Sequence, residues 1–179
     1  MNYRQLIDKY YPVGSRLRDI YLLHCRSVAH KALEINTKKN LGLNIEDVEA
    51  AAMLHDIGIF LTDAPGIDCH GELPYLSHGI AGAKLLRDEG FDEKFARICE
   101  RHTGAGITVI DIEKNNLPIP SGDYVPETPL ERLICYADKF FSKSGDMKEK
   151  SLERVRASML RLSPESLDRF ELLHNEFGS

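Results

Sequence analysis

The sequence predicts an all-α domain of seven to eight helices, and three observations predict it. Apolar residues recur three, four and seven positions apart along most of the chain, while the period-two alternation of a half-buried strand is almost absent. Capping residues, glycines and prolines punctuate the chain where such helices would start and stop. With 42% hydrophobic and 28% charged residues, 179 residues suffice for one domain with a real core and are too few to expect two.

Taken in order, a short first helix covers roughly Tyr3 to Lys9 and is broken by Pro12 and Gly14. A long helix follows from about Ser15 to Lys38, with Ile20, Leu23, Val28, Ala32 and Ile35 at apolar positions. Asn44, with Asp47 three residues on, starts a third helix that Gly58 closes. Thr62 to Ser77 contains Pro65, Gly66, Gly71 and Pro74 and reads as a surface loop. Ser77 and Asp92 are placed to cap helices ending at Gly90 and Gly104. Residues 105–126 hold three prolines and two glycines and read as the longest irregular stretch. Thr128-Pro129-Leu130-Glu131 is a capping box opening a helix that runs to about Phe141. Two amphipathic helices complete the chain, the second opened by Ser163-Pro164. The expected organisation is one domain over 1–179, with a core of about 15–142 and C-terminal helices over 150–177 packed on it.

Composition narrows the functional classes. A net charge of -5 argues against an extended nucleic-acid surface, which needs clustered Lys and Arg, but a small phosphorylated substrate needs only a local positive centre. The N-terminal residues lack a signal-peptide pattern, and the apolar run Ala50 to Leu61 is interrupted by His55 and Asp56 and too short for a bilayer. No membrane association and a cytoplasmic location are expected. Cys25, Cys69, Cys99 and Cys135 are widely spaced and read as free thiols, three of them core residues on helices.

The chemistry lies in polar residues on apolar stripes. His24 is four residues from both Ile20 and Val28. Val48, Ala51, Ala52, His55 and Ile59 form one stripe with Asp56 beside it, and Phe95, Ile98, Cys99 and His102 form another. Leu130, Ile134, Asp138 and Phe141 nearly repeat the pattern, and His78 shares a face with Ala81 and Leu85. A single histidine in such a position is ordinarily a hydrogen-bonded core residue. Four imidazoles and two carboxylates pointing inward together would be a costly core, but they suit a pair of divalent metals held between helices.

His55-Asp56-Ile57-Gly58 is the HDIG signature, and with it the sequence resembles the HD superfamily of metal-dependent phosphohydrolases. His24, Asp138, His78 and His102 match the remaining members of the family's ordered set H…HD…H…H…D, and the resemblance runs from about Ser15 to Phe141. The stretches Arg101 to Gly106 and Asp123 to Thr128 also resemble a small, largely uncharacterised subgroup. The resemblance implies an HD-domain helical bundle. It implies one metal on His24, His55, Asp56 and Asp138 and a second on His78 and His102, with Asp56 bridging. The metals would be divalent (Mn, Fe, Mg, Co, Ni or Zn), and the reaction would be hydrolysis of a phosphomonoester or nucleotide by a metal-activated water, with Asp56 and His55 catalytic.

Arg101 and Lys139 flank ligand positions, Lys84 lies on the helix begun by His78, and His70 sits in the Thr62 to Ser77 loop; these four are the candidate substrate contacts. Tyr124 and Asp123 could belong to a lid. His30 and His174 read as surface residues. Two other functions fit the same residues: a di-iron oxygenase using the four-histidine, two-aspartate set, or a non-catalytic nucleotide-binding or metal-sensing domain. A homodimer through the terminal helices is a further possibility.

Overall fold

The computed structural model describes residues 2–178. Among them are nine α-helices: α1 (Tyr3–Tyr10), α2 (Arg16–Lys38), α3 (Ile45–Leu54), α4 (His78–Asp88), α5 (Glu93–Arg101), α6 (Val109–Asn115), α7 (Pro129–Asp138), α8 (Leu152–Leu162) and α9 (Pro164–Phe177). The expected seven to eight is therefore an undercount. The missed helix is α6, inside the stretch read as irregular, where Thr108 and Asp111 form a reciprocal capping box. That local signal outweighs the surrounding prolines and glycines.

Most helix starts follow their capping residues. Asn2, Ser15, Asn44, Asp92, Thr128, Ser151 and Ser163 each accept a backbone N–H from the first turn of the helix they open. Ser77 does not cap α4: it ends a tight turn over Tyr75–Ser77, and its hydroxyl donates to the Pro118 carbonyl at 3.2 Å. The α7 start is the strongest of the set. Thr128 Oγ1 accepts from Glu131 N at 3.2 Å, while the buried Glu131 carboxylate accepts from Glu127 N at 2.7 Å and pairs with Arg97 Nε at 2.8 Å. Thr128→Ala should cost about 1 kcal/mol of stability, seen as a lower midpoint in urea with an unchanged slope.

Thr62 to Ser77 is more than a loop over the surface. Asp63–Ala64 (β1) pairs antiparallel with Cys69–His70 (β2), and the hairpin buries Thr62, Ile67 and Cys69. Burial of the last two apolar side chains anchors a segment that its prolines and glycines left formless in sequence.

Two apolar clusters hold the bundle. One joins α2, α3, α7 and α9 through residues such as Val28, Ala52, Ile134, Phe170 and Phe177. The other joins α1 to α5 through Leu6, Tyr11, Tyr21, Leu54, Leu86 and Cys99. A fully buried side chain of this size contributes about 1.5–3 kcal/mol relative to exposure. Leu23, expected on the buried stripe of α2, is 51% exposed; Tyr21 and Cys25 take the inward positions beside His24. All four cysteines are buried and free, with Cys69 on β2 rather than on a helix.

Gly58 does not end a helix by a left-handed turn, since its φ is -88° and α3 has already stopped at Leu54. It is needed because α4 crosses there at backbone contact: a Cβ on Gly58 would lie 2.4 Å from the His78 carbonyl oxygen and 2.5 Å from Gly82 N. α7 likewise stops at Asp138 rather than Phe141.

Candidate metal centre

The six inward-facing residues meet in one place. His24 lies within α2, His55 and His102 directly follow α3 and α5, Asp56 follows His55, His78 opens α4, and Asp138 is the last residue of α7. None is more than 8% exposed. Helix ends are apt positions, because the chain can turn there and aim a side chain along the gap between neighbouring helices.

Backbone carbonyls orient three of the four imidazoles. Nδ1 of His55 lies 2.7 Å from Ala52 O, that of His78 2.6 Å from Tyr75 O, and that of His102 2.7 Å from Cys99 O. A carbonyl can only accept, so each Nδ1 carries the proton and, in the neutral ring, Nε2 presents its lone pair to the centre. His24 Nδ1 has no partner. The Nε2 atoms of His78 and His102 are 3.1 Å apart, and those of His24 and His55 are 3.2 Å apart. For His78 and His102, whose Nδ1 protons are both fixed by carbonyls, the neutral rings turn lone pairs toward each other, an arrangement that a cation between them satisfies.

Asp56 divides the centre in two. Its Oδ2 faces His24 Nε2 at 3.0 Å and His55 Nε2 at 3.1 Å, while its Oδ1 faces His78 Nε2 at 3.3 Å and His102 Nε2 at 3.4 Å. Asp138 Oδ1 completes the first group, 3.1 Å from His24 and 3.4 Å from His55. Both Asp56 oxygens are fully buried without a well-directed hydrogen bond. Lys143 Nζ lies 2.6 Å from Oδ2, an ion pair by distance though not by hydrogen-bond direction. The donor set, two groups of His and Asp sharing one carboxylate, suits divalent metal.

The electrostatics are those of a buried charge cluster. Burial disfavours a charged Asp56, but Lys143 and the surrounding imidazoles outweigh it and hold the carboxyl well below the usual range. Asp138 is held down in the same way against its burial, chiefly by Lys139 and His24. Burial also opposes charge on His55, yet Asp56 and Asp138 raise it well above the ordinary histidine value. His102, where burial wins, is pushed down to about 4 and is neutral at pH 7.

Beside Asp138 opens a pocket of about 500 Å³, lined in part by Tyr75, Lys139, Phe141, Lys143, Lys150 and Leu162. Of the candidate substrate contacts, only Lys139 reaches it, and Lys139 is tied down: its ammonium donates to His102 O at 2.9 Å and pairs with Asp138 Oδ2 at 2.7 Å. Arg101 points the other way, to Val125 O at 2.8 Å and Glu127 at 2.9 Å, and latches the segment before α7. Lys84 is exposed and paired with Asp88 one turn on, and His70 is exposed beside Asp68. Adjacency in sequence misled at Arg101, because the next residue on a helix points about 100° away.

Asp123 and Tyr124 form no lid over this pocket. Asp123 accepts from Val109 N at the start of α6, and Tyr124 bridges Ile107. His30 is exposed as expected, but His174 is half-buried, 2.9 Å from the Tyr136 hydroxyl and stacked on Phe170. Lys143 and Lys150 went unnoticed in sequence, since they sit in non-helical chain where no periodicity marks a facing direction.

The chain belongs to the HD domain family, whose model matches residues 21–142. Among its relatives, an uncharacterised protein of Methanocaldococcus jannaschii is 35% identical over 159 residues, covering 87% of this chain and 86% of that protein. Proteins named tRNA (cytidine(56)-2'-O)-methyltransferase, from Thermoplasma volcanium and Picrophilus torridus, are 34% and 42% identical over 168 and 105 residues. These matches cover 94% and 59% of this chain but only 44% and 27% of the two methyltransferases. No solved structure matches significantly. Among the described residues, no helix is long and apolar enough to cross a membrane.

Proposed function

We propose that the chain is a cytoplasmic metal-dependent phosphohydrolase acting on a phosphomonoester or nucleotide. The observation that carries this reading is Asp56: one buried carboxylate offers one oxygen to His24 and His55 and the other to His78 and His102. His24, His55, Asp56 and Asp138 would hold one divalent metal, and Asp56, His78 and His102 a second. Such metals supply Lewis acidity, lowering the pKa of a water molecule and offsetting charge on the phosphoryl oxygens.

The chain's own residues do the rest. The carbonyls of Ala52, Tyr75 and Cys99 hold three imidazole rings in their productive orientation, so little reorganisation is needed. Asp56 and His55, in contact at 3.1 Å, would position the attacking water. Lys139 ties Asp138 to the backbone at His102 and so couples the two groups of ligands. The lysines of the adjoining pocket favour an anionic substrate over a neutral one, despite the chain's net charge of -5. Four buried free thiols suit a reducing compartment.

Hydrolysis of p-nitrophenyl phosphate is expected with Mn²⁺, Co²⁺ or Mg²⁺ and should vanish with a chelator. Inactivity across a broad panel of phosphate esters, together with two bound irons and O2 consumption, would replace this reading with the oxygenase.

A further inference from the structure

The pocket beside Asp138 is built in part by chain that follows the family-matched residues 21–142: Lys143, Lys150, Met159 and Leu162 line one portion of it. Its charges do not balance. Asp138 is paired with Lys139 at 2.7 Å and Asp56 with Lys143 at 2.6 Å, whereas Lys150 forms no ion pair among the described residues. One ammonium group is left over, half-buried, in a concave site. Burial holds the pKa of Lys150 below the usual lysine range, and the ammonium groups of Lys139 and Lys143 add to the effect against Asp138. An arriving anion would relieve that repulsion.

Much of the remaining wall is apolar. Phe141, Met159 and Leu162 line the same space as the lysines, and the centre of the Tyr75 ring lies 5.9 Å from Lys143 Nζ. Leu162 is 60% exposed and Tyr75 is 38% exposed, so water now covers apolar surface that a ligand could cover instead. A bare phosphate would fill little of about 500 Å³ and would leave most of this surface to water. The volume is that of a small-molecule site.

Resting on the phosphohydrolase reading, we propose that segment 143–162 is the substrate-selecting wall. It would take a phosphomonoester whose phosphate meets Lys143 and Lys150 and whose apolar or aromatic remainder packs on Phe141, Met159 and Leu162. Selectivity then resides in residues outside the metal-ligand set, of which Lys143 reaches Asp56 and Phe141 N donates to Asp138 O.

The test uses the full chain loaded with Mn²⁺ and two non-hydrolysable probes of equal charge, phenylphosphonate and methylphosphonate, with binding followed by calorimetry. Wild type should favour the phenyl probe by about tenfold. Lys150→Met should weaken both probes by about tenfold, with Mn²⁺ content and melting temperature unchanged, while Lys150→Arg stays within about threefold. Leu162→Ser, at an exposed position, should narrow the phenyl preference and leave methylphosphonate binding alone. Wild type that binds neither probe, or binds both equally, overturns the wall, as does Lys150→Met binding like wild type. Turnover of p-nitrophenyl phosphate is followed in parallel. Turnover without phenyl preference or Lys150 dependence removes the wall and leaves hydrolysis standing; selective, Lys150-dependent binding without turnover does the reverse.

Discussion

Asp56→Ala is expected to abolish metal binding and hydrolysis together. Each Asp56 oxygen faces one pair of imidazoles, so removing the carboxylate takes a ligand from both groups at once and leaves any bound metal with excess positive charge. Asp56→Asn keeps the shape but not the charge and should fail equally. Thermal melts separate this role from a purely structural one. At a metal concentration about a thousandfold above its dissociation constant, wild type should gain about 4 kcal/mol, roughly 10 °C for a chain of this size. The variant should melt at one temperature with metal or with chelator. The metal-free variant need not be crippled, since losing a buried carboxylate removes a desolvation cost and Lys143, which borders the pocket, can turn outward. An Asp56→Ala protein that holds wild-type metal equivalents and simply melts earlier would show that the carboxylate is structural.

Gly58→Ala should be among the most damaging single-methyl changes in the chain. The new Cβ would meet only backbone, at His78 O, Gly82 N and Gly82 Cα, at 2.4, 2.5 and 2.8 Å, so no side chain can rotate out of its way. The backbone angle is ordinary for alanine, φ -88°, and the whole effect is therefore contact. α4 must move back, at a cost of about 3 kcal/mol, or roughly 10 °C in melting temperature. Because His78 opens α4, the same shift should weaken metal held by His78 and His102 before metal held by His24, His55 and Asp138. Gly66→Ala, with nothing near its added methyl, is the control and should change stability by less than about 0.5 kcal/mol. Should Gly58→Ala melt within about 2 °C of wild type, the close approach of α4 is not what requires glycine.

The helices were legible where periodicity and caps agreed. Asn44, Asp92, Thr128 and Ser163 each begin the helix their side chains announce, because capping is a contact within one turn of chain. α6 escaped because prolines and glycines crowd its surroundings, although Thr108 and Asp111 carried the same kind of local information. The hairpin of β1 and β2, within 62–77, escaped for a different reason: its stability comes from burying Ile67 and Cys69 against other helices, and no local pattern records that.

For the site, the sequence by itself determined which six polar side chains face inward, because helical spacing places them on apolar stripes or at the ends of those stripes. It also determined their chemistry, since four imidazoles and two carboxylates are costly to bury without a shared charge. The family resemblance already implies how they divide, with Asp56 between the two groups. Only the tertiary structure decided that a carbonyl three residues back aims the rings of His55, His78 and His102, while His24 Nδ1 has no such partner. Only the tertiary structure, too, brought Lys143 and Lys150 to the pocket while leaving Lys84 and His70 in solvent. The physical reason is common to both. A helix repeats by local geometry, so its faces can be read along the chain, whereas the gap between two helices is set by what they press against, as Gly58 is pressed by α4.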